Sequence, residues 1–147
     1  YNFSLGYLPT IHYIRPMQKT YYTPEISEFH VGFEYQTLWG VEGADGEWHH
    51  EVYSEGDSVK TLCETVRVKH LDREDIESLE YRNTGGLGMP GKPSEYKYTS
   101  KNHPFTILHY PSINKIVIHD DDMGTRLFKG IVNNKSELKR ILKQIGI

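Results

Sequence analysis

The chain has 147 residues, 37% of them hydrophobic, a size that suits one domain with its own core and no need for metal or disulfide staples. Its formal charge is -3, with 17 Lys and Arg against 20 Asp and Glu. That balance argues against duplex DNA as a main partner, because neutralising phosphates needs a local excess of cations. No run of apolar residues reaches the length of a membrane span, so no membrane partner is expected.

The N-terminal stretch Tyr1–Pro16 is moderately apolar but lacks the basic start and small-residue cleavage site of a signal peptide. Met17 follows it, so residues 1–16 read as a leader, an upstream extension or a cloning remnant, with a single α+β domain over 17–147. Glu28–Leu38 alternates Phe29, Val31, Phe33 and Tyr35 with polar residues, the period of a half-buried strand. Turn chemistry over Gly40–Gly46 and a returning strand over Glu47–Tyr53 make a hairpin of it. Cys63, the only cysteine, excludes an internal disulfide and a multi-cysteine zinc site, and reads as a buried inert thiol.

Glu64–His70 repeats the strand pattern through Val66 and Val68. Asp72 is placed to cap a short helix over Arg73–Glu80, with Asp75 facing the first-turn amides and Ile76 and Leu79 forming an apolar stripe. Glycines and prolines crowd Arg82–Ser94, which reads as a long loop. Phe105–Tyr110, Lys115–His119 and Arg126–Val132 then form a meander, with turns at Pro111–Asn114 and Asp120–Thr125. Asn134 and Glu137 form a capping box, Leu138, Ile141, Leu142 and Ile145 make a helical stripe, and Gly146 ends it. The expected fold is α+β: an antiparallel sheet of five or six strands, a C-terminal amphipathic helix packed on one face, and a short helix near 73–80.

Gly86 to Lys92 matches the phosphate-binding pattern Gly-x-x-x-x-Gly-Lys and then fails at Pro93, where Ser or Thr must reach magnesium. A weaker reading keeps Arg82, Lys92 and the loop amides as an anion cradle, with a surface loop as the plain alternative, and has Tyr96 and Tyr98 either stack on a ring or fill one edge of the sheet. His49 and His50 are adjacent on a strand and point to opposite faces, so they do not share an ion. His119 with Asp120, Asp121 and Asp122 can hold a hard cation, although Asp-rich turns are ordinary hairpin chemistry. No nucleophile elbow surrounds any candidate, so no catalytic residue, metal site or cofactor is assigned. Lys135, Lys139, Arg140 and Lys143 give the last helix a basic face, which suits either solvent or an acidic partner. Trp39 and Trp48 flank the first hairpin loop as candidate anchors. The candidate ligand-binding residues are therefore Trp39, Trp48, Arg82, Lys92 and Tyr96.

Three strings, Thr20–Pro24 leading into Glu28–Gln36, Arg67–Tyr81, and Asn133–Ile147, resemble a family of small uncharacterised proteins from Bacteroides phages and prophages, including crAss-like phages. The resemblance runs from about Met17 onward and brings no activity or site residue with it. It implies a phage product acting in the bacterial host cytoplasm or carried in the virion. The expected function is a non-enzymatic binding protein that engages a host protein or a nucleotide-like small molecule, with homo-oligomers compatible with that role. A virion or assembly component is one alternative. A metal-dependent hydrolase acting on nucleotides through His119 and Asp120–Asp122 is the other.

Overall fold

The computed structural model describes residues 20–39, 46–57, 65–89 and 92–147. The proposed leader, Met17, Cys63 and most of the first hairpin loop lie outside them, as do the side chains of Trp39 and Lys92. The chain is α+β. It builds β1 (Tyr21–Tyr22), β2 (Glu34–Trp39), β3 (Glu47–Val52), β4 (Val66–Lys69), α1 (Arg73–Glu77), β5 (Tyr81–Met89), β6 (Lys92–Ser100), β7 (Phe105–Tyr110), β8 (Lys115–Asp120), β9 (Thr125–Ile131) and α2 (Lys135–Gln144). Among the described residues no helix is long and apolar enough to cross a membrane.

The strands divide between two antiparallel sheets, where one sheet of five or six strands was expected. Four strands run in the order β1-β4-β2-β3 and five in the simple meander β5-β6-β7-β8-β9. Alternating patterns report that a segment is extended and which face is apolar; they do not say which strands pair. Phe33, Tyr35, Val66 and Val68 close a small core on the first sheet, while Tyr98, Ile107, Ile116 and Ile118 of the second join Leu71, Ile76, Val132, Leu138, Ile141 and Leu142 in a larger one. α2 therefore serves the inner face of the five-stranded sheet. Phe128 belongs to that face too, folded over Gly130, where a Cβ would sit 2.8 Å from its ring.

Two local readings are corrected. Arg82–Ser94 is no loop: β5 and β6 pair from Tyr81 opposite Ser100 to Met89 opposite Lys92, with register shifts at Asn83/Gly85 and Leu87/Gly88. Gly85 and Gly88 take φ of 157° and 140°, so the glycines that forbid regular helix supply the positive angles that bulges need. The strand expected from Glu28 begins only at Glu34, because Ile26–Glu28 closes a 3-10 turn boxed by Glu25 and Glu28, and Gly32 at φ 89° redirects the chain. Val31, placed on the apolar face by its spacing, is consequently exposed.

The caps behave as their residues dictate. Asp72 accepts from the Asp75 amide at 3.0 Å and Asp75 returns a carboxylate oxygen to the Asp72 amide, yet α1 stops at Glu77 as Glu80 turns left-handed at φ 67°. Asn134 accepts from the Glu137 amide at 2.8 Å, while Glu137 reaches past the cap to the Asn133 amide at 2.9 Å. The Ser136 hydroxyl takes the Glu34 amide at 2.9 Å and Lys139 pairs with Glu34 at 2.5 Å, tying α2 to the first sheet.

Candidate functional site

Between the β4–α1 junction, the middle of β6 and the end of β7 lies a pocket of about 360 Å³. It is lined by Thr20, His70, Leu71, Asp72, Arg73, Tyr96, Tyr98, His109 and Pro111. Tyr98 and His109 reach it because they fall in phase with Tyr96 and Ile107 on the inner face, with Tyr96 opposite His109 and Tyr98 opposite Ile107. Tyr98 is 0% exposed and His109 2%.

Three residues of this lining carry an unpaired polar atom. The Tyr98 hydroxyl, His109 Nε2 and His70 Nδ1 are buried without a hydrogen-bond partner among the described residues. A buried polar atom left unpaired costs roughly 1–3 kcal/mol, so three around one cavity need a reason. Only Tyr81 Oη and His103 Nδ1 share that condition among the described residues, and those two rings lie against each other elsewhere, 5.2 Å apart.

Burial sets the charge states. It pushes the His109 imidazole down to about 4 against a weaker pull from the Asp72 carboxylate, and lifts the Tyr98 phenol to about 12 despite Arg73. His70 is lowered by burial as well. All three groups are thus neutral at pH 7, and each can donate or accept. Burial would raise the Asp72 carboxyl, but the Lys69 ammonium at 2.5 Å and the Asp75 amide hold it below its usual range. Arg73 is engaged by Glu77 at 2.8 Å. The charges at the rim are therefore paired, and the interior is uncharged.

His70 is also a wall of a second, more polar cleft of about 450 Å³ between the 3-10 turn and the start of α2, lined among others by Tyr22, Glu28, His30, Asn134 and Glu137. Tyr22 stacks near His70 with ring centroids 4.7 Å apart. Its hydroxyl donates to Glu28 at 2.6 Å and accepts from Asn134 at 2.8 Å. Tyr22, Glu28, His30, Asn134 and Glu137 in this cleft already have hydrogen-bond partners, which ties its polar centre into the fold.

Of the residues singled out from sequence, Tyr96 and Tyr98 line the unpaired pocket and the others lie elsewhere. Trp48 is on β3, its ring covered by the Arg67 guanidinium at 4.0 Å, which also lies 3.8 Å above Tyr21 and donates to Gln36 at 2.8 Å. Arg82 is exposed on β5 opposite Thr99. Trp39 and Lys92 are placed by backbone only, at the ends of β2 and β6. The Asp-rich turn uses its oxygens internally: Asp120 accepts from the Asp122 and Met123 amides, and Asp121 accepts from Thr106. No group of three or more metal-ligating side chains forms among the described residues. His70 and His109 escaped the sequence reading, although His109 stands in phase with Phe105 and Ile107, where an aliphatic residue is the norm.

Comparison with family models, curated proteins and solved structures gave no match to this chain.

Proposed function

We propose that this is a small-molecule-binding protein whose ligand is a planar, uncharged heterocycle, such as the base portion of a nucleotide-like molecule, held in the pocket of His70, Tyr98 and His109. The observation that carries the reading is that three residues with buried, unpartnered, neutral polar atoms all line one largely apolar cavity. A cavity of a few hundred Å³ with apolar walls and a few convergent polar groups is the usual form of a ligand site. Groups that each donate or accept match a ring edge carrying both donors and acceptors, and Tyr96 with Pro111 offers apolar surface to the ring faces. A phosphate finds no free cation, since Arg73 is paired and Asp72 is anionic.

No residue in the pocket is poised as a nucleophile, so the function proposed is binding. In the phage setting that the sequence resemblance implies, the protein sequesters such a molecule in the host. Isothermal calorimetry with adenine, guanine, their nucleosides and their monophosphates tests this. Free bases or nucleosides should bind at least as well as the monophosphates, and Tyr98→Phe should weaken the best of them about three- to tenfold. Absence of binding across the panel, or affinity that depends on phosphate and ignores Tyr98→Phe, refutes it.

A further inference from the structure

The four-stranded sheet ends in an unpaired edge. Among the described residues β3 pairs only with β2, from Glu47 opposite Trp39 to Val52 opposite Glu34, without a register shift. The other sheet margins are blunted. β1 has 2 residues, β5 is broken by two register shifts, and β9 carries a bulge at Leu127 and an exposed Lys129. Brevity, bulges, Lys and Pro are the usual devices that keep an edge from pairing with another chain. β3 has 6 residues and none of these devices; its charged side chains are Glu47 and Glu51, beside His49 and His50.

The ladder settles which backbone groups that edge offers. The Tyr53 amide and carbonyl bond back to Phe33 and Gly32, both at 2.9 Å, and the Leu38 amide turns the other way, to Thr65. Successive residues of an antiparallel ladder alternate between its two sides. Glu47, His49 and Glu51 therefore bond to β2, while Trp48, His50 and Val52 aim their amides and carbonyls outward. The side chains alternate as well: Trp48, 36% exposed, and Val52, 48% exposed, share one face with His50, and Glu47, His49 and Glu51 share the other.

We infer that the outer edge of β3 pairs antiparallel with the same edge of a second copy of this chain, about a two-fold axis through His50. Opposed residues share a face, so a symmetric pairing centres on a residue and not between two. Centred on His50, Trp48 stands opposite the partner's Val52, which joins the two exposed apolar side chains of the strand. The outward amides and carbonyls of Trp48, His50 and Val52 are then all bonded. On the other face His49 meets the partner's Glu51, and Glu47 meets the partner's Tyr53. The two His50 rings meet on the axis, each with a Glu34 carboxylate 3.9 Å away. Centred on His49 instead, Glu47 faces the partner's Glu51 on both sides of the axis and Val52 loses its apolar counterpart. Backbone, apolar pair and charges thus select one register, and the chain carries its own complement. The product is one continuous sheet with the strands β1-β4-β2-β3 of each copy in it.

Sedimentation velocity and amide exchange on the full chain, over about 10 μM to 1 mM, test this, since a single strand pair makes a small and weak interface. The sedimentation coefficient should rise from monomer to dimer and go no further. The amides of Trp48, His50 and Val52 should gain protection over the same range, while those of Glu47, His49 and Glu51 are protected by β2 throughout. His50→Pro removes an amide that bonds to nothing within the ladder, so its melting should stay near the parent's and the dimer should weaken about tenfold or more. His49→Glu should also weaken the dimer by facing the partner's Glu51, and His49→Glu/Glu51→Lys should restore it; this pair of variants reads the register without a proline in the strand. A chain that stays monomeric at every concentration, protection gained at other residues only, association unchanged by His50→Pro, or a double variant as weak as His49→Glu would each overturn the inference.

Discussion

Replacing Tyr98 with Phe separates a pocket kept for a ligand from a pocket that merely packs. The ring is fully buried in the main core and its hydroxyl has no partner among the described residues, so Tyr98→Phe keeps shape and removes an unpaid desolvation cost. An unsatisfied buried hydroxyl costs about 1–3 kcal/mol, and the ligand-free protein should become more stable by up to that amount. For a chain near 150 residues each kcal/mol is worth roughly 2–4 °C, so calorimetric melting should move upward by several degrees. Tyr22→Phe is the internal contrast: that hydroxyl makes two good hydrogen bonds, to Glu28 at 2.6 Å and from Asn134 at 2.8 Å, and its loss should destabilise by about 1–3 kcal/mol. A Tyr98→Phe protein that melts lower than the parent by 1 kcal/mol or more would mean that the hydroxyl is well paired in solution. The premise of the binding site would then fail.

The His109 imidazole is held down to about 4 by burial from an ordinary 6.5, so its contribution is complete above pH 6.5 and drains away as pH falls toward 4. At about 1.4 kcal/mol per pKa unit the loss is on the order of 3 kcal/mol, and urea titrations from pH 7 to 4 should show an acid limb that is shallower in His109→Leu. An identical limb in both proteins would refute the assignment. Leu142 is 5% exposed in the main cluster, so Leu142→Ala should cost about 2–5 kcal/mol in denaturant unfolding; an unchanged midpoint would contradict its packing. Arg67→Ala removes one guanidinium from between Tyr21 and Trp48 and from Gln36, and should cost about 1–3 kcal/mol while reddening the Trp48 emission. Emission and stability that both stay put would show the stack to be absent in solution.

Much of the local structure is legible because it is encoded locally. The meander β7-β8-β9 follows from alternation, α2 from an Asn cap and a 3.6-residue stripe, and α1 from Asp72 and Asp75. β5 is illegible for an equally local reason. Its glycines carry no side chains to alternate, and only pairing with β6 shows that they serve as bulges.

The site lies beyond local reading altogether. Tyr96 attracts notice as a surface aromatic, but its pocket needs His70 from the end of β4, Asp72 from the cap of α1, and Tyr98 and His109 from two paired strands. Whether a histidine in an apolar phase is paired depends on what long-range packing brings against its side chain. Sequence by itself determined the α+β class, the caps and the apolar phases, since these rest on neighbours within a turn or a strand. Tertiary structure alone decided that the strands split into two sheets and that three residues with unpaired neutral polar atoms line one cavity. Those features exist only once strands distant in the chain stand side by side.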